Sequence, residues 1–164
     1  MAIIGPGKIA PLISLKTLGG QTVSLKEALL KGPVVAAFFK VSCPTCQFSA
    51  PFWERLHENY GGGNFTLWGI SQDDAADTRE FCKELDVDFP VLIEDPGHSI
   101  SNQYGITHVP SVFLISQDGK IDQTSVGFSK VDLEHIASVA ATSTGAKPTP
   151  LFKPSENVPA IKPG

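Results

Sequence analysis

The fold of this chain is decided by one stretch of sequence, Lys40-Val41-Ser42-Cys43-Pro44-Thr45-Cys46-Gln47. An uninterrupted apolar run at residues 34–39 precedes it and predicts a buried β-strand. A helix is predicted after it, because apolar side chains recur there every four residues, at Phe48, Phe52, Leu56 and Tyr60. Two cysteines therefore stand where a strand gives way to a helix.

This placement favours redox chemistry. Cys43 would cap the open end of the helix, where unpaired backbone N–H groups and the helix dipole favour negative charge. A thiolate is stabilised at such a position, and the thiolate is the form that attacks disulfides. Cys46 lies one turn further on, close enough to form a disulfide with Cys43 and release what Cys43 has captured. The spacing therefore predicts a redox-active dithiol.

The composition is that of one globular domain and excludes several classes of function. The chain has 164 residues, of which 41% are hydrophobic and 18% are charged. A net charge of −4, with no basic stripe, argues against nucleic acid as a partner. No apolar run approaches a membrane span and the first residues lack a signal-peptide pattern, so we expect no membrane partner and a cytoplasmic location, with a leader removed before residue 1 as the alternative. Three cysteines are too few for a disulfide scaffold.

The other segments alternate between strands and helices. A hairpin is predicted over residues 12–25 by two alternating runs around Gly19-Gly20. The predicted strands that follow span residues 34–39, 65–71, 90–93, 110–115 and 121–126. The predicted helices lie at residues 25–31, 74–85, 99–104 and after Ser129, besides the one that carries the cysteines. This order predicts an α/β fold with a central mixed sheet and helices on both faces.

The sequence changes character near its end, so we divide it into a domain at residues 1–142 and a Pro-rich tail at residues 143–164. The tail contains five prolines and shows no helical or strand period, which predicts a mobile or extended segment. The alternative is partial order, because some tail residues are apolar enough to dock on a groove: Leu151, Phe152, Val158 and Ile161.

Three separated segments resemble the thioredoxin superfamily. The first is Cys43-Pro44-Thr45-Cys46, with Pro51 five residues past the second cysteine. The second is Tyr104-Gly105-Ile106-Thr107-His108-Val109-Pro110-Ser111, which is similar to the cis-proline loop of that superfamily. The third is Asp118-Gly119-Lys120, followed by Val126-Gly127 and a final helix. With the N-terminal hairpin and an additional α/β segment at residues 73–105, the chain resembles the redoxin branch over residues 8–142. That branch holds the AhpC/TSA peroxiredoxins and the membrane-tethered thioredoxin-like reductases of bacteria.

The resemblance implies a thioredoxin-like fold and a thiol–disulfide oxidoreductase. Cys43 would be the attacking thiol and Cys46 the resolving thiol. A cis bond between Val109 and Pro110 would set the Val109 backbone beside Cys43, where it would pair with an incoming peptide. Pro44 and Thr45 are further candidates for contact with the substrate. The enzyme would need a protein or small-molecule disulfide as substrate and a separate electron donor, and no cofactor or metal besides the dithiol.

The sequence also departs from the patterns of these families. Thioredoxins usually carry Trp before the first cysteine and a buried acid six residues before it, where this chain has Ser42 and Ala37. The tethered reductases carry a glutamate three residues after the second cysteine, at the position of Ser49. We therefore expect no carboxylate to assist Cys46, which leaves water, Lys40 or His108. The peroxiredoxin motif P-x-x-x-T-x-x-C would require Pro and Thr at the positions of Ala36 and Lys40.

Two alternatives to disulfide reduction stay open. In the first, the protein is an antioxidant peroxidase in which a peroxide oxidises Cys43 and either Cys46 or Cys82 resolves the sulfenic acid. In the second, it is a redox-sensing module that binds a partner without turnover. Lys40 and His108 are candidates for tuning the ionisation of Cys43, with plain solvation as the alternative for each. Cys82 lies on the apolar face of its predicted helix and is expected to be inert.

Overall fold

A computed structural model of the chain describes residues 2–94 and 96–164. Its centre is a seven-stranded sheet in the order β2-β1-β5-β4-β3-β6-β7. The strands are β1 (Ser14–Thr17), β2 (Thr22–Ser24), β3 (Val34–Phe39), β4 (Thr66–Ser71), β5 (Val91–Ile93), β6 (Ser111–Ile115) and β7 (Ile121–Val126). β3, β4 and β5 are parallel, whereas the pairs β1–β2, β1–β5, β3–β6 and β6–β7 are antiparallel. The predicted mixed sheet is thereby confirmed.

Helices cover both faces of this sheet. They are α1 (Leu25–Leu29), α2 (Pro44–Tyr60), α3 (Ala75–Glu84), α4 (Ser99–Gln103) and α5 (Lys130–Thr144). Alternate residues of β3 belong to different cores, because successive side chains of a strand point to opposite faces. Val35, Ala37 and Phe39 pack in the core that includes α2, α3 and α5, and the other three residues of β3 pack in the core that includes α1 and α4.

β3 has the bounds that the sequence predicts, and all six of its side chains are buried. A strand with neighbours on both edges and helices on both faces must be apolar throughout, which explains the uninterrupted run. α1 is shorter than predicted and ends at Leu29, because the amides of Leu30 and Lys31 bond three residues back, to Glu27 and Ala28. The predicted caps at Ser24 and Ser129 are confirmed, since each side chain accepts an N–H from the third helical residue.

The tail packs against the domain instead of extending into solvent. α5 continues to Thr144, past the predicted boundary at residue 142. Leu151 and Phe152 are buried in the core that contains α2 and α5, so partial docking is the alternative that the structure supports. A short 3-10 helix follows at Pro154–Glu156, and then strand β9 (Ile161–Lys162) pairs antiparallel with strand β8 (Phe128–Ser129). In the part of the chain that is described, no helix has both the length and the apolarity to cross a bilayer.

Candidate active site

Cys43 is the N-cap residue of α2, as predicted. Its backbone is extended, and its Sγ atom accepts a hydrogen bond from the backbone N–H of Cys46 at 3.1 Å. Pro44 occupies the first helical position, where its missing N–H costs no intrahelical hydrogen bond. The sulfur of Cys43 thus lies where the first turn of the helix offers amide dipoles to a negative charge.

Cys46 lies one turn into α2 in a different environment. Its side chain is fully buried, whereas Cys43 is partly exposed. Burial raises the pKa of Cys46 well above its ordinary value, and the hydrogen bond and negative charge of Cys43 raise that pKa further. Cys46 is therefore a protonated thiol at neutral pH. All three cysteines of the chain are free thiols.

The cis-proline loop faces Cys43 from the neighbouring strand. β6 pairs with β3 so that Ser111 is opposite Phe38, which places the start of β6 beside the end of β3. The Val109–Pro110 peptide bond is cis, as the resemblance implies. The Sγ atom of Cys43 lies 3.5 Å from the carbonyl oxygen of Val109, to which it donates a hydrogen bond when the thiol is protonated. The structure therefore brings the cysteines and this loop together from positions more than sixty residues apart.

The two residues between the cysteines differ in exposure. Pro44 is exposed, whereas Thr45 is buried. The hydroxyl of Thr45 donates a hydrogen bond of 2.6 Å to the carbonyl oxygen of Pro163 in the tail. A residue proposed for substrate contact is thus engaged by another part of the same chain.

Lys40 and His108 lie near the site, but their side chains are exposed. The carbonyl oxygen of Lys40 accepts the backbone N–H of Cys43 at 3.3 Å, so its contact with the site is through the main chain. The ring of His108 bonds the hydroxyl of Thr107 at 3.0 Å. Within residues 2–94 and 96–164, neither side chain makes a hydrogen bond or ion pair with Cys43, and their tuning roles stay predictions.

Asp73 is a residue of the site that the sequence argument missed. Its carboxylate accepts the backbone N–H of Val41 at 2.8 Å, in the connection between β3 and α2. Its charge adds to the causes that raise the pKa of Cys46, behind burial and Cys43. This charge opposes ionisation of the thiol, so the expectation that no carboxylate assists Cys46 stays a prediction, and Asp73 is given no proton-accepting role. It could have been found from the parallel pairing of β3 and β4, because Phe39 is opposite Ser71 and Val41 and Asp73 follow each by two residues.

Cys82 lies in α3, away from the turn that carries the other two cysteines. It is partly buried against the core, and burial, with a smaller effect from the charge of Glu54, raises the pKa of Cys82 to about 11. It is therefore a thiol at neutral pH, which is consistent with the predicted inert role.

Comparisons with known proteins agree with this geometry. Residues 6–124 match the model of the AhpC/TSA family. The chain is 32% identical over 122 residues to the thiol-disulfide oxidoreductase ResA of Bacillus thuringiensis. The aligned segment covers 74% of this chain and 69% of that protein. It is 30% identical over 138 residues to the thioredoxin-like protein YneN of Bacillus subtilis, and this alignment covers 80% of this chain and 78% of that protein.

Solved structures show the same fold. The thioredoxin domain of a thiol-disulfide oxidoreductase from Bacteroides vulgatus superposes with a TM-score of 0.73 at 23% identity. The superposition covers 82% of this chain and 96% of that domain. The thioredoxin-like architecture expected from the sequence is confirmed.

Proposed function

The chain belongs to the AhpC/TSA family and is a thioredoxin-like oxidoreductase, and from this premise we propose that it reduces disulfide bonds of proteins with Cys43 as nucleophile and Cys46 as resolving thiol. One observation carries the proposal. The partly exposed sulfur of Cys43 accepts the N–H of Cys46 at the start of α2, while the sulfur of Cys46 is buried behind it. One thiol can therefore meet a substrate first, and the other can act only afterwards.

The first step is attack on the substrate. The thiolate of Cys43 forms a bond to one sulfur of the substrate disulfide, and the S–S bond of the substrate breaks. The electron pair of that bond leaves with the second substrate sulfur, which takes a proton from water. The product is a mixed disulfide between Cys43 and the substrate. The backbone N–H of Cys46 points at the sulfur that makes this attack.

The second step is resolution by Cys46. Once Cys43 is in the mixed disulfide it carries no negative charge, and two of the causes that raise the pKa of Cys46 are removed together. Cys46 then loses its proton to water and attacks Cys43, forming the Cys43–Cys46 disulfide and releasing the second substrate thiol. The substrate has gained two electrons from the enzyme and two protons from water, one on each released sulfur. The enzyme, which entered the cycle with Cys43 as a thiolate, has lost two electrons and has given the proton of Cys46 to water. A dithiol donor returns the enzyme to its starting state.

We place this cycle in a reducing compartment, with the cytoplasm as the proposed location. In such a compartment a dithiol is the resting form, so that reduction of the substrate is the favoured direction. The peroxidase alternative has less support, because Ala36 and Lys40 occupy the positions of the peroxiredoxin Pro and Thr.

The test is reduction of insulin with dithiothreitol as electron donor, using single cysteine variants. Cys43→Ser is expected to show only the rate without enzyme, because a serine hydroxyl does not attack disulfides at neutral pH. Cys46→Ser, reduced and then freed of dithiothreitol before insulin is added, is expected to accumulate a covalent mixed disulfide between Cys43 and insulin, visible by mass spectrometry. Cys82→Ser is the matched control, since it removes a thiol outside the site, and should reduce insulin at the wild-type rate.

A Cys43→Ser variant with wild-type activity would overturn this assignment. Rapid, saturable consumption of hydrogen peroxide without insulin reduction would replace it with the peroxidase alternative. Mixed disulfides on Cys82 instead of Cys43 would place the nucleophile on α3.

A further inference from the structure

The last four residues, which we name the strap (161–164), run across the face of the molecule that carries the active site. In β9, Lys162 is opposite Phe128 and Ile161 is opposite Ser129. The backbone N–H of Lys130 donates to the carbonyl oxygen of Ala160 at 2.9 Å, which extends this pairing by one residue. The strap is therefore held as an added β-strand, which is a common way for a protein to bind a peptide.

Beyond β9 the strap contacts both segments that flank Cys43, the active-site turn at Thr45 and the cis-proline loop at Val109, and we name the surface between them the substrate groove. On one side, the carbonyl oxygen of Pro163 accepts the hydroxyl of Thr45, which lies between the two cysteines. On the other side, Gly164 lies so close to the cis-proline loop that a Cβ atom at this position would overlap the Val109 carbonyl oxygen. The same oxygen is the partner of Cys43 Sγ. The strap thus lies against the backbone that the resemblance assigns to an incoming peptide.

Side chains add selectivity to these main-chain contacts. The ammonium group of Lys162 lies 4.7 Å from the centre of the Phe48 ring, a cation–π distance. Gly127 permits close approach of the strap, because a Cβ atom there would stand 2.5 Å from the Lys162 carbonyl oxygen. The groove consequently fits an extended main chain with a cationic side chain over Phe48 and a residue without Cβ beside Val109.

The strap is weakly attached compared with the rest of the tail. Ile161 is 70% exposed, and Pro163 and Gly164 are exposed as well. Upstream, Leu151 and Phe152 are buried, and residues 157–160 between these two regions are largely exposed. Segments with few buried apolar contacts open at low cost, so that the strap can lift while the tail stays anchored.

We propose that the strap is an internal ligand of the substrate groove, and that the groove binds an extended polypeptide segment by the same contacts. The inference rests on the proposed function and names its substrate class: the strap controls access for a disulfide carried by an extended or unfolded polypeptide, whereas a small disulfide reaches Cys43 without displacing it. A polypeptide substrate must displace the strap to reach Val109 and Cys43. The strap therefore lowers the apparent affinity for polypeptides. The apparent association constant equals the intrinsic one multiplied by the fraction of molecules in which the strap is lifted.

Two variants test the strap by independent means. One deletes residues 161–164 and leaves Leu151 and Phe152 in place. The other is Gly164→Val, whose Cβ would overlap the Val109 carbonyl oxygen and expel the end of the strap without shortening the chain. The matched control is Gly63→Val, because no atom lies within 4 Å of a Cβ atom at position 63.

Both strap variants are expected to raise kcat/KM for insulin by roughly 5- to 30-fold, the range expected for opening a weakly held segment. Reduction of glutathione disulfide should change by less than about twofold, because a small disulfide does not need the β-pairing surface. Gly63→Val should resemble the wild type with both substrates. A synthetic peptide of residues 158–164 should inhibit insulin reduction by the deletion variant, and the same peptide with Gly164→Val should not.

An unchanged or lower kcat/KM for insulin in both strap variants would overturn the proposal. An equal increase for glutathione disulfide would also overturn it, since the strap would then merely cover Cys43. If no form of the protein reduces any disulfide, the proposed function fails while the strap is still tested by alkylation of Cys43 with a polyethylene-glycol maleimide. That alkylation is expected to be faster in both strap variants than in the wild type, and equal rates would refute a covering strap.

Discussion

The active-site turn (43–46) and the strap lie against each other, yet the sequence specifies them in different ways. The turn is held by hydrogen bonds between near neighbours, such as Cys46 N–H to Cys43 Sγ and Ser49 Oγ to the Thr45 carbonyl oxygen. The strap is held by distant partners: Thr45 and Pro163 are separated by 118 positions. Redox chemistry is thus encoded locally in this molecule, whereas access to it depends on long-range packing.

The two regions also differ in burial, and therefore in the cost of moving them. Cys46 is fully buried within α2, while Ile161 is 70% exposed. Opening of the turn would unfold part of the core, but lifting of the strap exposes little apolar surface. This difference allows a rigid reactive centre to carry a movable cover.

The largest expected effect comes from removing the buried side chain that anchors the tail, and it is a loss of folding stability. Phe152 is buried, and its ring centre lies 4.9 Å from that of Phe52 and 6.1 Å from that of Phe128. Phe152→Ala is expected to lower the free energy of unfolding by about 3 kcal/mol, the low end for such a truncation because the site is near the surface. Urea unfolding measures the loss.

Phe152→Leu is the control, because it keeps most of the side-chain volume and should cost less than about 1.5 kcal/mol. The alanine variant should still reduce glutathione disulfide at the wild-type rate, since the Cys43 sulfur makes its hydrogen bonds with Cys46 and Val109 and not with the tail. Loss of that activity in a folded protein would show that the two regions are not separable.

A second and smaller effect is expected where the tail is pinned by charge. The guanidinium of Arg55 makes a bidentate ion pair with the carboxylate of Glu156. This pair lowers the pKa of Glu156 to about 2 from its ordinary value of 4.5. A lowered pKa means that the folded state favours the ionised form. The contribution of this pair is therefore complete above pH 4.5 and is lost as the pH falls through about 2.

The measurement is an NMR titration of the tail amides. The Lys153 amide, which donates to Glu156 at 2.7 Å, should shift with a midpoint near pH 2. Glu156→Gln should abolish that titration. Arg55→Lys keeps the positive charge but removes the planar guanidinium that makes two hydrogen bonds. It should move the titration midpoint upward, towards the ordinary pKa of a glutamate. A midpoint near 4.5 in the wild type would show that the pair does not form in solution.

The same contrast explains which features could be predicted from the sequence. The bounds of β3, the caps at Ser24 and Ser129 and the N-cap position of Cys43 depend on residues within a few positions of one another, and each was predicted. The cis-proline loop was placed by resemblance, because its proximity to Cys43 results from the pairing of β6 with β3.

The features that were missed depend on the assembled sheet. Asp73 meets Val41 only because β3 and β4 are parallel neighbours in a particular register. The course of the tail depends on a groove built from α2, β8 and α5, and no periodicity within residues 143–164 reports it. Local propensity specifies elements, while the choice among docking surfaces is made by tertiary packing.

The smallest expected effect concerns the exposed side chains of Lys40 and His108 near the active site. It tests whether the active-site turn alone determines the reactivity of Cys43. Lys40 and His108 are exposed, and interactions between exposed charges are weak and screened by salt. Lys40→Met and His108→Ala are therefore each expected to change the rate of Cys43 alkylation by iodoacetamide by less than about threefold at physiological salt. Measuring this rate against pH at low and high salt, in a Cys82→Ser background, isolates the effect because Cys46 is buried and protonated. A change of about tenfold or more that persists at high salt would mean that one of these side chains acts directly on the reactivity of Cys43.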